Sequence, residues 1–116
     1  MTPEWSEALE QALAETTTVV TELGARGMSG EVELMLRHSA DFLELFSVLA
    51  VAWRWLAQAA AAKEALGRGT PDADFYEGKL AAAQYWLAVE LPRVPLLARL
   101  CRTGEDSYAR MRPEWF

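Results

Sequence analysis

Apolar residues recur every three or four positions along nearly the whole chain, a spacing that predicts helices and leaves no segment that reads as a strand. Thr2-Pro3 opens the first helix, with threonine suited to a cap and proline to the first turn, where its missing N–H costs nothing. Leu9, Leu13, Val20 and Leu23, with Thr16 between them, keep the helical period over 3–24. The run Thr16-Thr17-Thr18-Val19-Val20 is locally strand-like, but it sits inside that period and is read as helix. Gly24, Gly27 and Gly30 mark a loop. The second helix is predicted over 31–66, about 54 Å if continuous. No glycine or proline interrupts it, although Ser39, or Asp41 with Glu44 three residues on, offers a second start. The linker Gly67-Arg68-Gly69-Thr70-Pro71-Asp72 stops the chain and restarts it, with Thr70 as cap, into a third helix over 71–91. Pro92 and Pro95 end or kink that helix, because each removes a backbone donor. Leu96, Leu97 and Leu100 give a short helix over 95–102, stopped by Gly104 and followed by a short turn over 105–111. The expected fold is all-α: one domain over 1–116, an up-down antiparallel helical bundle of three long helices plus a short C-terminal helix.

The apolar faces are broader than such a bundle needs. On the second helix Phe42, Leu45, Leu49, Leu56 and Ala59 line one face, and Leu43, Phe46, Ala50, Trp53 and Ala57 line the adjacent one. On the third, Phe75, Ala82, Trp86 and Val89 stand beside Tyr76, Leu80, Ala83 and Leu87. A core of Phe46, Trp53, Leu56, Leu80, Ala83, Trp86 and Leu87 is expected. Trp53 and Trp55 lie about 200° apart on a helix and cannot share one small core. The surplus of aromatic surface is assigned to protein contact, where Trp, Tyr and Arg are enriched. Trp53, Trp55 and Tyr85 are the candidate interface residues. The expected association is a homodimer about a two-fold axis.

Charge narrows the partners. The net charge of −6 is uneven. Residues 1–50 hold nine acids against Arg26 and Arg37, a balance of −7. Residues 93–116 hold Arg93, Arg99, Arg102, Arg110 and Arg112 against Glu105, Asp106 and Glu114, a balance of +2. An acidic domain repels phosphate backbones, so no nucleic-acid partner is expected. The arginine-rich end is read as a solvated face that complements helix C-termini and acidic neighbours. Cys101 is the single cysteine, which fits a reducing cytoplasm. Glu4, Glu7 and Glu10 argue against a signal peptide. Between Phe42 and Ala62 the longest run free of Glu44, Arg54 and Gln58 is the nine residues Leu45 to Trp53. A membrane span needs roughly 20. A soluble, cytoplasmic protein is expected.

Catalytic and metal chemistry find no complete set. A di-iron bundle needs two Glu-x-x-His motifs. Here the one histidine, His38, is preceded three residues earlier by Met35, and it is read as a helix-surface residue. The serines have no partner histidine outside one helix, and Cys101, beside Arg102, is read as a buried structural thiol. Gly24, Gly27 and Gly30 follow a helix rather than a strand, so they are no phosphate loop. The carboxylates read as the polar sides of helices. No catalytic, cofactor-binding or metal-ligating residue is assigned.

At the third helix the sequence becomes specific. Asp74-Phe75-Tyr76-Glu77-Gly78-Lys79-Leu80, continuing AAAQYWLAVELPRVPLLARL to Leu100, resembles the C-terminal extension of one branch of the acyl-CoA dehydrogenases. There a helix carries a Phe-Tyr-x-x-Lys-Leu pattern, then aromatics, then a Leu-Pro end. Phe75, Tyr76, Lys79, Leu80 and Pro92 carry the pattern here. The preceding WRWLAQAAAAKEAL resembles the partner helix, and Gly104-Glu105-Asp106-Ser107 resembles the family's final turn. The likeness spans about residues 40–110. It implies that a full-length parent binds FAD, oxidises an acyl-CoA thioester at Cα–Cβ and passes electrons to a flavoprotein acceptor. The parts that do this lie upstream in the family, so the resemblance places no flavin and no catalytic residue in this chain. It implies a structural and assembly domain that packs on the dehydrogenase body or a neighbouring subunit. A free-standing helical module for protein binding or self-association is the alternative, and an enzyme in its own right is the weakest reading.

Overall fold

The computed structural model describes residues 3–116. Of these, 82% are helical and none is in a strand, in agreement with the all-α expectation. Helix α1 spans Pro3–Met28, α2 Val32–Leu36, α3 Ser39–Gly67, α4 Ala73–Tyr85 and α5 Val94–Thr103. The expected cap at Thr2 lies outside the described residues. Thr16, Thr17, Thr18 and Thr21 each turn their hydroxyl back onto the carbonyl four residues earlier, which satisfies it within the helix. That removes the competition their hydroxyls would otherwise offer to the helical backbone.

Several boundaries differ from the sequence reading, one of them the start of the third helix, which falls at Ala73 after Asp72 rather than at Pro71 after a Thr70 cap. Gly24 and Gly27 are absorbed into α1, and the turn is left to Gly30 at φ 92°. The helix expected to run unbroken over 31–66 is broken at His38, whose φ of −113° and ψ of 39° leave the helical region. The prolines kink the third helix without ending it. Pro92 and Pro95 lack the N–H that Ala88 and Leu91 would accept from, and their rings crowd those carbonyls. The chain responds with a π-helical stretch, Trp86–Glu90, in which the Leu91 N–H reaches back to Trp86 O, and then a 3-10 turn, Leu91–Arg93. Residues 73–103 therefore form one bent rod. The short turn expected over 105–111 is turns without a helix, and a 3-10 turn follows at Pro113–Trp115.

Helix α3 is the shared element. It packs against α1, α4 and α5, with the α1 seam running from Phe42 to Trp53 and Trp55 facing Lys79 of α4. Trp86 ties the middle, its indole N–H donating to Val48 O at 3.2 Å. The core joins Ala12, Val19, Leu45, Val48, Leu49, Ala52 and Leu56 to Leu87, Leu91, Val94, Leu97, Ala98 and Cys101. Three rods thus meet at one end only, and at the other α3 and α4 project as a two-helix hairpin. The Cα radius of gyration is 18.8 Å and the extents are 65 × 33 × 16 Å. A compact domain of this length has a radius of about 13 Å. An elongated molecule of this kind keeps much of its apolar surface on the outside.

The expected core is corrected accordingly. Leu56, Ala83 and Leu87 are buried, while Leu80 and Trp86 are half-buried. Phe46 and Trp53 are 54% and 60% exposed. On length and composition alone, with a mean hydropathy of 1.4, α3 is apolar enough to cross a membrane, yet only 39% of that stretch is buried inside the structure. Its apolar character therefore exceeds what its own fold uses.

Candidate functional site

The excess is gathered along the seam between α1 and α3. One groove there is lined by Leu9, Leu13, Phe46, Leu49, Ala50 and Trp53. A second, further along the same seam, is lined by Val20, Leu23, Met35, Leu36, Ser39 and Phe42. Leu13, Val20, Leu36, Leu43, Phe46 and Trp53 are all about half exposed or more. The geometry follows from helical spacing. Leu45, Val48, Leu49, Ala52 and Leu56 take the inward arc of α3, and a residue displaced by one position turns about 100° away from it. Phe46 and Trp53 are so displaced. The broad apolar stripe read from the sequence is split by the fold into a buried arc and an open one.

The three candidate interface residues do not come together. Trp53 lies in the open groove. Trp55 turns toward α4 and is half-buried, with Lys79 Nζ 5.8 Å from its ring centre. Tyr85 is 59% exposed but stands about 200° from buried Ala83, on the outer side of α4. Of the resemblance residues, Phe75 and Tyr76 meet edge to face at 5.2 Å, and Lys79 also lies 5.3 Å from the Phe75 ring. The Phe-Tyr-x-x-Lys spacing places this cation between two aromatic faces, a favourable electrostatic arrangement. Leu80 is half-buried, and Pro92 sits in the 3-10 turn.

The polar residues concentrate at the corner where α2, α3 and α5 meet, and sequence reasoning missed this cluster. His38 is not a helix-surface residue, since its side chain keeps 11% of its exposure. Its Nδ1 lies 2.8 Å from Asp41 Oδ2 and its Nε2 2.8 Å from the Glu105 carbonyl oxygen. Tyr108 packs edge-on at 5.8 Å and donates its hydroxyl to Arg37 O. Arg37 Nη1 donates to Gly104 O at 2.8 Å, and Arg26 donates to the Cys101 and Arg102 carbonyls at the end of α5. Asp41, instead of forming a capping box with Glu44, orients the histidine. Both ring nitrogens face acceptors, which fixes the imidazole against α3 and the segment after α5. Cys101 Sγ lies 3.8 Å from the His38 carbonyl rather than its ring, and burial, with the nearby Asp41 charge, pushes the thiol up.

The Asp41 hydrogen bond, joined by the Glu105 carbonyl, raises the His38 pKa above 6.5 against the opposing effect of burial. The imidazolium is thus favoured in the folded state. Its stabilisation is complete below the ordinary value of 6.5 and disappears as pH rises through the raised folded value. Wild type is expected to lose melting temperature relative to His38→Gln as pH rises above 6.5. Thermal unfolding across that rise checks it, and parallel curves would defeat the assignment.

Three of the five arginines at the C-terminal end are engaged with carboxylates. Arg102 holds Glu22 through two bonds of 2.9 and 3.0 Å, Arg93 pairs with Glu44 and Glu90, and Arg110 lies 3.1 Å from Asp106. This agrees with a solvated, charge-complementing face. The α1–α3 groove does not fit a flavin dinucleotide, since it is apolar and supplies no donors for a pyrophosphate, and the polar groove between α1 and α5 sets Glu15 and Glu22 beside Arg99 and Arg102. Among the described residues no group of three His, Cys, Asp or Glu side chains is placed to hold a metal ion.

Fold and surface together define an all-α domain whose polar clusters fasten its own helices and whose open chemistry is an apolar face. The chain belongs to the acyl-CoA dehydrogenase C-terminal domain family: residues 2–112 match the family described as Acetyl-CoA dehydrogenase C-terminal like. No curated protein matches the chain in sequence.

Proposed function

We propose that this chain is a non-catalytic assembly domain of an acyl-CoA dehydrogenase, docking through the α1–α3 face onto the dehydrogenase body or a neighbouring subunit. The observation that carries this reading is the exposure of Phe46 and Trp53 in an apolar groove on a helix whose buried arc is already filled. Contiguous apolar patches beyond a few hundred Å² mark interaction sites on soluble proteins. The FAD and the acyl-CoA oxidation of the parent then belong to its other domains, and the cytoplasm is its compartment.

Trp53→Asp and Phe46→Asp test the reading, because both side chains are exposed in the free chain. Each variant is expected to keep its helicity and melting temperature while losing at least tenfold in association, the loss expected of an aromatic anchor in an interface. Association is measured by sedimentation and by capture of the dehydrogenase encoded in the same reading frame or beside it. Flavin co-purifying near one per chain, or turnover of an acyl-CoA by the chain alone, would overturn the proposal.

A further inference from the structure

The open face of α3 carries a pattern that specifies its own partner. Leu43, Phe46, Ala50, Trp53, Ala57 and Ala60 follow one another at intervals of three, four, three, four and three residues, the spacing of a coiled-coil seam. Leu43, Phe46 and Trp53 are 67%, 54% and 60% exposed. Ala57 and Ala60 are exposed, Ala50 is half-buried, and no charged residue interrupts the seam. Ser39 and Glu64 bound it on the same face.

We infer that this seam pairs antiparallel with the same seam of a second copy, about a two-fold axis between Ala50 and Trp53. The inference rests on the docking reading above and names its occupant. In this register Leu43 meets the second copy's Ala60, Phe46 meets its Ala57, and Ala50 meets its Trp53. Every layer joins one large residue to one small one, and a two-fold interface presents each pair twice. The alternatives pack badly. A parallel pair sets Phe46 on Phe46 and Trp53 on Trp53, with gaps at Ala57 and Ala60, and both overpacking and voids are destabilising. Sliding the antiparallel pair by one heptad sets Leu43 on Trp53 in one direction and Phe46 on Glu64 in the other.

The shape of the molecule fits the same arrangement. Past the start of α1, the α3–α4 hairpin projects without a third helix. In the antiparallel pair the small residues of each hairpin lie over the groove that the other copy forms from Leu9, Leu13, Phe46 and Trp53. The seam is about 26 Å long and two helices, roughly 20 Å, wide. That is on the order of 500 Å² per copy and 1,000 Å² in all, the lower end of specific interfaces. The pair is therefore a weak dimer, half-formed at tens of micromolar.

A size swap tests the register. In sedimentation equilibrium, Ala57→Phe and Phe46→Ala are each expected to weaken self-association at least tenfold, and the double variant to recover to within about threefold of wild type. Both positions are exposed, so the monomer fold survives. In a second measurement, Phe46→Cys with Ala57→Cys is expected to give a covalent dimer on mild oxidation, and either single cysteine variant none, since like positions face each other only in a parallel pair. Within one chain these positions lie about 16 Å apart along the helix. A disulfide needs Cα atoms closer than about 7 Å, so the bridge can form only between copies. Cys101 is buried, and wild type serves as the control. A dimer that neither cross-links nor is rescued by the swap overturns the register and leaves the docking reading standing. A monomer at millimolar concentration overturns self-pairing; the docking reading then survives if Trp53→Asp still weakens capture of the dehydrogenase, and falls if it does not. A monomer that partitions onto phospholipid vesicles through Phe46 and Trp53 overturns both in favour of a lipid contact.

Discussion

Leu45→Ala is expected to destabilise the protein by about 3–5 kcal/mol, the cost of opening a cavity in a packed core. Leu45 has 0% exposure and is among the largest fully buried side chains of the chain. It belongs to the cluster in which α1, α3 and the bent α4–α5 rod meet, with Val19, Val94 and Cys101 also essentially sealed from solvent. A domain of this size holds about 5–15 kcal/mol in total, so the substitution removes a large part of it. Urea unfolding followed by far-UV dichroism provides the measurement. Trp53→Ala is the informative contrast: it removes a larger side chain, but one 60% exposed, and should cost the monomer below about 1 kcal/mol. Equal losses for the two variants would mean that the α1–α3 groove is closed in solution.

Gly104→Ala should cost about 2 kcal/mol, by two separate routes. Gly104 ends α5 at φ 61°, a left-handed conformation that costs an L-residue about 1–2 kcal/mol. It is also buried, and an added Cβ would lie 2.6 Å from Leu34 Cδ1, forcing that side chain aside. The effect should reach beyond stability, because Arg37 and His38 hold the carbonyls of residues 104 and 105. Faster amide exchange over 104–108 is the local signature. Gly67→Ala is the control: Gly67 is the last helical residue of α3, and no atom would lie within 4 Å of its Cβ. That variant should be neutral, or more stable by up to about 1 kcal/mol. Similar losses at both positions would remove the case for a special backbone at Gly104.

Much of this architecture was legible along the chain because its signals are local. The period of the apolar residues around Leu9, Leu13 and Val20 marks α1, and Gly67 to Asp72 marks the restart before α4, where the Thr70 hydroxyl accepts the Asp72 N–H at 3.1 Å. The open apolar face was half legible. Two adjacent apolar arcs on α3 were plain, but whether Phe46 and Trp53 or Leu45 and Leu49 faced inward depends on where α1 and α5 approach. Period alone assigned Phe46 and Trp53 to the core, and the observed approach reverses that.

The sequence by itself determined the all-α class, the stops near Gly30 and Gly67 to Thr70, the family, and the excess of apolar surface on α3. Each follows from composition and spacing within a few turns of helix. Only the tertiary structure decided the break at His38, since no local signal there outweighs a helical run free of glycine and proline. The break arises because Arg37 and His38 reach across 67 residues of chain to the carbonyls that end α5, and helix α2–α3 gives up one residue of regular geometry to satisfy them. The bend at the prolines was expected, but its π-helical form was not, because it depends on how α4 seats Trp86 against Val48 of α3. Which arc of α3 remains open is likewise a property of three helices meeting at one end and two at the other, and no single helix records that.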